Sequence, residues 1–435
     1  MTKTSAKFRN FLNPLLRFPE RTRRSLSEYR FYTYLAVLGP GIITANAGNE
    51  SAGIATYSSV GAAYGYTLLW AFVPMWISLI VVQEMCVRMG AVTGQGLADL
   101  IRERFGVRLT ALIMSALFIA NTGVVISQFI GIAQASEIFG VSRFIAVPLA
   151  AGLMWWLVVR GTQARAERIF LAISSVFVCY IFAAFISKPN WGQVAREIVT
   201  PSFKFEPDYL FIVMALIGTT VTPFMQFFVQ SATVENRIDE EDLPLARADV
   251  IVGMTFATMI AMFIVISTAA TLNVRGITTI DSAATAAQAL APVAGAYAKY
   301  LFAFGLFGAS LLAMGVLPLA TAFSISEALG FEKGLSRDFH EAPIFLGIFT
   351  ALIVFGALVA LVPGLPQIEL LLLTQAINGL LLPFTVIAIV KLSSSKEIMG
   401  EYRNSFAFNL IAWFIAAVVS CLSVVLLIQA IIDIF

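Results

Sequence analysis

"ITANAGNESAGIATYSS" (43–59) stands where the first hydrophobic stretch of the chain should be most apolar. It carries instead one acid, Glu50, two asparagines and two glycines. A carboxylate near the centre of a bilayer costs roughly 2.5–3.5 kcal/mol on insertion scales unless it is paired or hydrated. Glycine, asparagine and serine at the same point weaken the helix around it. Backbone freed in this way survives in lipid only if it faces protein or a cavity. The stretch therefore reads as an interrupted helix that holds an acid for a purpose. A second interruption is written in "IGTTVTPFMQ" (217–226), where Pro223 has no N–H for the helix ladder and Gly218 and three threonines loosen the turns before it.

The rest of the chain supplies the membrane. Of its 435 residues 59% are hydrophobic and only 12% charged, too little charge to cover a soluble domain of this length. Stretches of roughly 20 apolar residues, the length that crosses a bilayer, recur from end to end. They lie at 34–57, 65–87, 109–135, 144–159, 169–186, 209–233, 250–274, 298–326, 344–362, 370–392 and 406–434. The chain is read as one all-α polytopic unit of eleven spans. Placing these spans leaves 22 Lys and Arg on the side of the N-terminus and six on the other: Arg143, Lys188, Arg196, Lys204, Arg275 and Lys299. That asymmetry predicts a cytoplasmic N-terminus and, with an odd count, a C-terminus outside. Residues 1–30 are basic and mixed with Phe and Leu, so no cleavable signal is expected. They read as an amphipathic segment on anionic lipid or as a disordered tail.

The two interruptions fall in spans one and six, five apart. That spacing matches a five-helix unit repeated with inverted topology, with the ligand at the midplane between two broken helices. The predicted organisation is a basic segment (1–30), a transport core (31–405) with repeats at about 31–187 and 205–392, and an extra helix (406–435). Cys86, Cys179 and Cys421 lack C-x-x-C spacing and read as packing residues, and His340 is the single histidine. A zinc site or a histidine relay has little material here.

At this point the residues resemble a known family. "GPGIITANAGNESAGIATYSSVGAAYGYTLLW" (39–70) is similar to the first span of the Nramp divalent-metal transporters. "RMGAVTGQGLADLIRERFG" (88–106) is similar to the loop after their second span, and "TQAINGLLLPFTVIAIVKLSSSKEIMG" (374–400) to their tenth span and the loop that follows. The resemblance runs from about 31 to 400 and is weakest in spans seven and eight. It implies a LeuT-like 5+5 inverted repeat and alternating access.

Where most of that family has Asp-Pro-Gly-Asn, this frame places Glu50, Ser51, Ala52 and Gly53. Where the family has Met-Pro-His, it places Thr222, Pro223 and Phe224. The resemblance thus puts Glu50, Gly53 and Thr222 at the side-chain ligand positions and Ala47 and Thr219 at two carbonyl ligands. Gln375 matches a glutamine that joins the site, and Asn378, Asn49 and Phe224 are placed around it. Replacing a thioether by Thr222 leaves oxygen donors, which suit a hard ion. Gly53 and Thr222 also leave room for an ion that keeps some of its water, as Mg²⁺ commonly does. The nearest branch is the Nramp-related magnesium transporters, with Mn²⁺ also accepted.

Proton-coupled members carry acids in span three, whereas "ANTGVVISQFIG" (120–131) has none. Uncoupled uptake of Mg²⁺ is therefore expected, with proton-coupled Mn²⁺ or Fe²⁺ transport as the alternative. An amino acid carrier on the same architecture and a cation channel are further rivals. Glu50 speaks against the first, and the unlike breaks against the second. An enzyme is not expected, since no nucleophile–base pair is visible. The metal is substrate, so no cofactor is implied. The partners are the metal ion and the lipid of the cell (inner) membrane, with no nucleic acid and no obligate protein. Asn121, Gln128 and Gln134 read as interhelical hydrogen bonding, and Gln226 and Gln230 as packing or path lining.

Overall fold

The computed structural model describes residues 48–159, 178–334 and 339–432, and all regular structure among them is helical. The helices that position the site are α1 (Ser51–Tyr64), α2 (Phe72–Thr93), α3 (Val107–Ile138), α4 (Arg143–Val159), α5 (Cys179–Ile186) and α6 (Pro207–Thr220). They continue as α7 (Pro223–Glu235), α8 (Leu243–Thr271), α9 (Ala298–Leu329), α10 (Pro343–Ala360), α11 (Gln367–Ser393) and α12 (Phe406–Ile432). Each of the eleven expected hydrophobic stretches falls on one of these helices wherever it is described, span six being the pair α6 and α7. Among the described residues, eight helical stretches are long and apolar enough to cross a membrane, and α4 is a shorter apolar helix. The protein is an all-α polytopic membrane protein with the sixth span broken, and the described part of the first span turns helical only at Ser51. The basic segment expected at 1–30 and the start of span one lie outside the described residues.

Both breaks occur where the sequence withdraws support for a helix. Helix α1 begins only at Ser51, with Glu50 as its extended N-cap residue (φ −75°, ψ 178°). Helix α6 ends at Thr220 and α7 starts at Pro223, whose missing N–H is no loss at a first helical position. Val221 and Thr222 join them in non-helical conformations.

Helices α3 and α9 pack along most of their length, as do α6 with α11 and α8 with α1. The α6–α11 crossing depends on two glycines. A Cβ on Gly218 would lie 2.0 Å from the Gln375 carbonyl, and one on Gly379 would lie 2.7 Å from that of Met214. With no hydrophobic drive between helices in lipid, such close backbone approach is what holds them.

Two connections between the spans carry helical structure of their own. "KPNWG" (188–192) leads into a helix, Trp191–Val199, capped by Asn190, whose Oδ1 accepts from the Gln193 amide at 3.1 Å. Residues 283–297, before α9, also coil into short helical turns, because their alanine-rich sequence favours helix and Pro292 and Gly295 punctuate it. Tryptophan placement is mixed. Trp156, Trp191 and Trp413 are exposed, as expected of interface residues. Trp76 and Trp155 instead donate across helices, to Thr255 and Thr350, each at 2.9 Å.

Candidate metal site

Glu50 is 2% exposed and sits against the open end of α1. Its backbone carbonyl accepts from the Ile54 amide at 2.9 Å, so the residue is held at the helix start. The unpaired amides of a first turn favour negative charge there and offset part of the burial cost. Oε1 accepts a 2.5 Å hydrogen bond from Nε2 of Gln375 on α11. The Ser127 hydroxyl approaches Oε2 at 3.5 Å, but its one proton is committed to the Val124 carbonyl at 2.6 Å. Oε2 is therefore the freer carboxylate oxygen. Among the described residues no lysine or arginine pairs with Glu50.

The sixth-span break lies against the first. A Cβ built on Gly53 would stand 3.1 Å from Thr219 Oγ1 and 2.9 Å from the Gly48 carbonyl, so the missing side chain lets the two breaks touch. Thr219 Oγ1 is buried and has no hydrogen-bond partner. The Thr222 hydroxyl donates to the Thr219 carbonyl at 3.1 Å, which leaves lone pairs on both oxygens. Tyr57 donates to Thr220 at 3.4 Å, a further tie between α1 and α6.

The tenth span brings two amide side chains to this side of Glu50. Asn378 Nδ2 donates to Gln375 Oε1 at 3.3 Å, and its own Oδ1 is buried without a partner. Of the residues singled out in the sequence, Glu50 meets Gln375, and Gly53 meets Thr219, which Thr222 bonds. Asn49 turns away and donates to the Ala257 carbonyl on α8 at 3.3 Å. Phe224 is fully buried in the first turn of α7. Ala47 and Asn46 lie outside the described residues.

Gln128, read from the sequence as interhelical hydrogen bonding, makes such a bond beside the carboxylate. Its Oε1 accepts from the Ser51 hydroxyl at 3.0 Å, while Ser51 also reaches the Ser127 carbonyl at 2.8 Å. The pair thus orients the residue beside Glu50. Two adjacent polar residues mid-span, Ser127 and Gln128, were the available signal.

The groups named at and beside the two breaks offer oxygens: one carboxylate, a carbonyl, two hydroxyls and two amide oxygens. Among the described residues no group of three or more His, Cys, Asp or Glu gathers to hold a metal. Such a set suits hard cations such as Mg²⁺ and Mn²⁺ rather than a soft-metal chelate.

Known proteins place the chain. The sequence profile described as natural resistance-associated macrophage protein-like (Nramp) matches residues 41–429. A divalent metal cation transporter MntH of Agrobacterium fabrum is 29% identical over 430 residues, covering 91% of this chain and 88% of its own. The MntH of Deinococcus radiodurans is 25% identical over 400 residues, covering 89% and 88%. A manganese transporter of Eremococcus coleocola, solved with an aromatic bis-isothiourea compound, superposes with a TM-score of 0.71. It is 19% identical and covers 90% of this chain and 86% of its own. MhsT, solved in complex with L-phenylalanine, shares the fold more distantly, with a TM-score of 0.60, 13% identity and coverage of 90% and 98%. The chain belongs to the Nramp family.

Proposed function

We propose that the chain is a multi-pass transporter of divalent metal cations in the cell membrane, with Mg²⁺ its preferred cargo and Mn²⁺ also accepted. The observation that carries this reading is a buried carboxylate, Glu50, with no lysine or arginine beside it among the described residues. It lies where two broken helices and α11 bring neutral oxygens together. A cation from solution is the partner that such a carboxylate lacks. The relatives named as divalent metal cation transporters and as a manganese transporter support the substrate class.

Glu50, Ala47, Gly53, Thr219 and Thr222 are the proposed metal positions, with Gln375 and Asn378 contributing directly or through retained water. The oxygen-only donors favour Mg²⁺ within the class. The proposed cycle is alternating access of two inverted repeats, at about 31–187 and 205–392, around the fixed site, with 406–435 outside them. The proposed orientation has the N-terminus in the cytoplasm, on the strength of the 22-to-6 charge split.

Proton coupling is the point that separates this reading from its alternative. Helix α3 carries no acid near Glu50, and its polar residues there are Ser127 and Gln128. We therefore place uptake as uncoupled. The named manganese transporter keeps proton-coupled Mn²⁺ transport as the second reading. Proteoliposomes loaded with a metal indicator and a pH dye decide between them. Mg²⁺ and Mn²⁺ influx without lumenal acidification is the expected result. Acidification that follows metal entry would replace it with the coupled mechanism, and metal-independent amino acid uptake would remove the substrate class.

A further inference from the structure

Glu327, in the last turns of α9, is a second buried carboxylate that the site around Glu50 does not use. Its side chain is 1% exposed. Oε1 accepts from the Ser231 hydroxyl of α7 at 2.8 Å and meets the Lys333 ammonium at 3.2 Å. Oε2 is buried with no partner. Lys333 also bonds Asp99 at 2.9 Å, and Arg102 lies 3.7 Å from Asp99 and donates to the Ala328 carbonyl. The loop at Gly96 is laid directly on the carboxylate, since a Cβ there would fall 2.1 Å from Glu327 Oε2.

A run of unsatisfied polar groups joins this carboxylate to the sixth-span break. Gln226 is fully buried, and neither atom of its amide has a partner. One turn on, Gln230 donates to the Gln95 carbonyl at 3.0 Å, but its Oε1 has no partner. Gln226 and Gln230 are four apart and share one side of α7, about 6 Å of helical rise, with Thr222 at the N-cap above them. Ser231, next in the chain, holds Glu327. Packing alone does not call for this pattern, because a buried polar group without a partner costs about 1–3 kcal/mol.

We propose that Glu327 is a second station for the transported divalent cation. It receives the ion after it leaves Glu50 along the Gln226–Gln230 side of α7. The proposal rests on the transport reading above. Carboxylate, amide and hydroxyl oxygens from Glu327, Gln230 and Ser231 make a hard donor set like that around Glu50. The Lys333 ammonium is a tethered cation standing where a metal ion would neutralise the acid. An arriving dication displaces it and frees the Gly96 loop, with its Asp99 contact, from the end of α9. In the proposed orientation this end faces the cytoplasm.

Mn²⁺ binding to the full-length protein in lipid nanodiscs, read from the spectrum of free Mn²⁺, tests the idea. The wild type is expected to titrate two ions, Glu50→Gln one, and Glu50→Gln with Glu327→Gln none. In the Glu50→Gln background, Lys333→Met should tighten the remaining site at least tenfold, because the competing charge is gone. Thermal unfolding of each variant controls for folding. If Glu50→Gln alone abolishes all binding, or if the residual ion survives Glu327→Gln, the second station is overturned while the central site stands. If Glu50→Gln changes nothing and Glu327→Gln removes the only ion, the central-site reading fails instead.

Discussion

Glu50 has unequal oxygens. Oε1 is held by Gln375 at 2.5 Å, while Oε2 has only the distant Ser127 hydroxyl. Substituting Glu50→Gln keeps the shape and removes the charge. Bonds to charged groups contribute about 1.5–3 kcal/mol. Influx into proteoliposomes should therefore fall on the order of a hundredfold, with the unfolding temperature nearly unchanged. An unaltered rate would end the case for this residue. Thr222→Met adds a soft donor and should move the preference from Mg²⁺ towards softer Cd²⁺ in a competition assay. At this scale the sequence was readable where it was anomalous: an acid inside an apolar stretch and a proline after three threonines. The orienting role of Gln128 was not readable, because a neutral polar residue in a membrane helix looks the same whether it glues helices or orients a ligand. Only the packing phase of α3 against α1 separates the two.

Helices carry the site through their contacts more than through their own propensities. The Gln375 carbonyl would lie 2.0 Å from a Cβ at position 218, and a backbone atom cannot move aside as a side chain can. Gly218→Val should push α6 from α11 at the level where Gln375 reaches Glu50. We expect a loss of about 1–3 kcal/mol, the usual range for overpacking, read as a lower unfolding temperature. Metal influx should fall with it. A variant of normal stability and rate would show that the crossing is not needed to seat Gln375. The eleven hydrophobic stretches and both interruptions were legible because length and polarity mark them against lipid. The short helical turns over 283–297 were not. Their alanine favours helix, but the turns are shorter than the span length and periodicity that mark a membrane helix in sequence.

For the molecule as a whole, the driving force follows from moving two charges across the bilayer. Each charge gains about 2.3 kcal/mol per 100 mV, so a bare dication gains roughly twice that, enough for accumulation of about three orders of magnitude. Potassium diffusion potentials imposed on proteoliposomes should accelerate uptake when the lumen is negative and suppress it when positive. A rate indifferent to the potential would exclude uncoupled electrogenic entry.

The two longest single helices add a dependence on the host bilayer. Helices α3 and α9, 32 residues each, run about 48 Å at the helical rise, against a hydrocarbon layer of about 30 Å. Packed along each other and tied by the Asn121–Thr321 bond at 2.8 Å, they act as paired struts that must lean together or protrude. Short acyl chains demand more lean and long ones less. Turnover should accordingly pass through an optimum as lipid tails are lengthened from fourteen to twenty-two carbons.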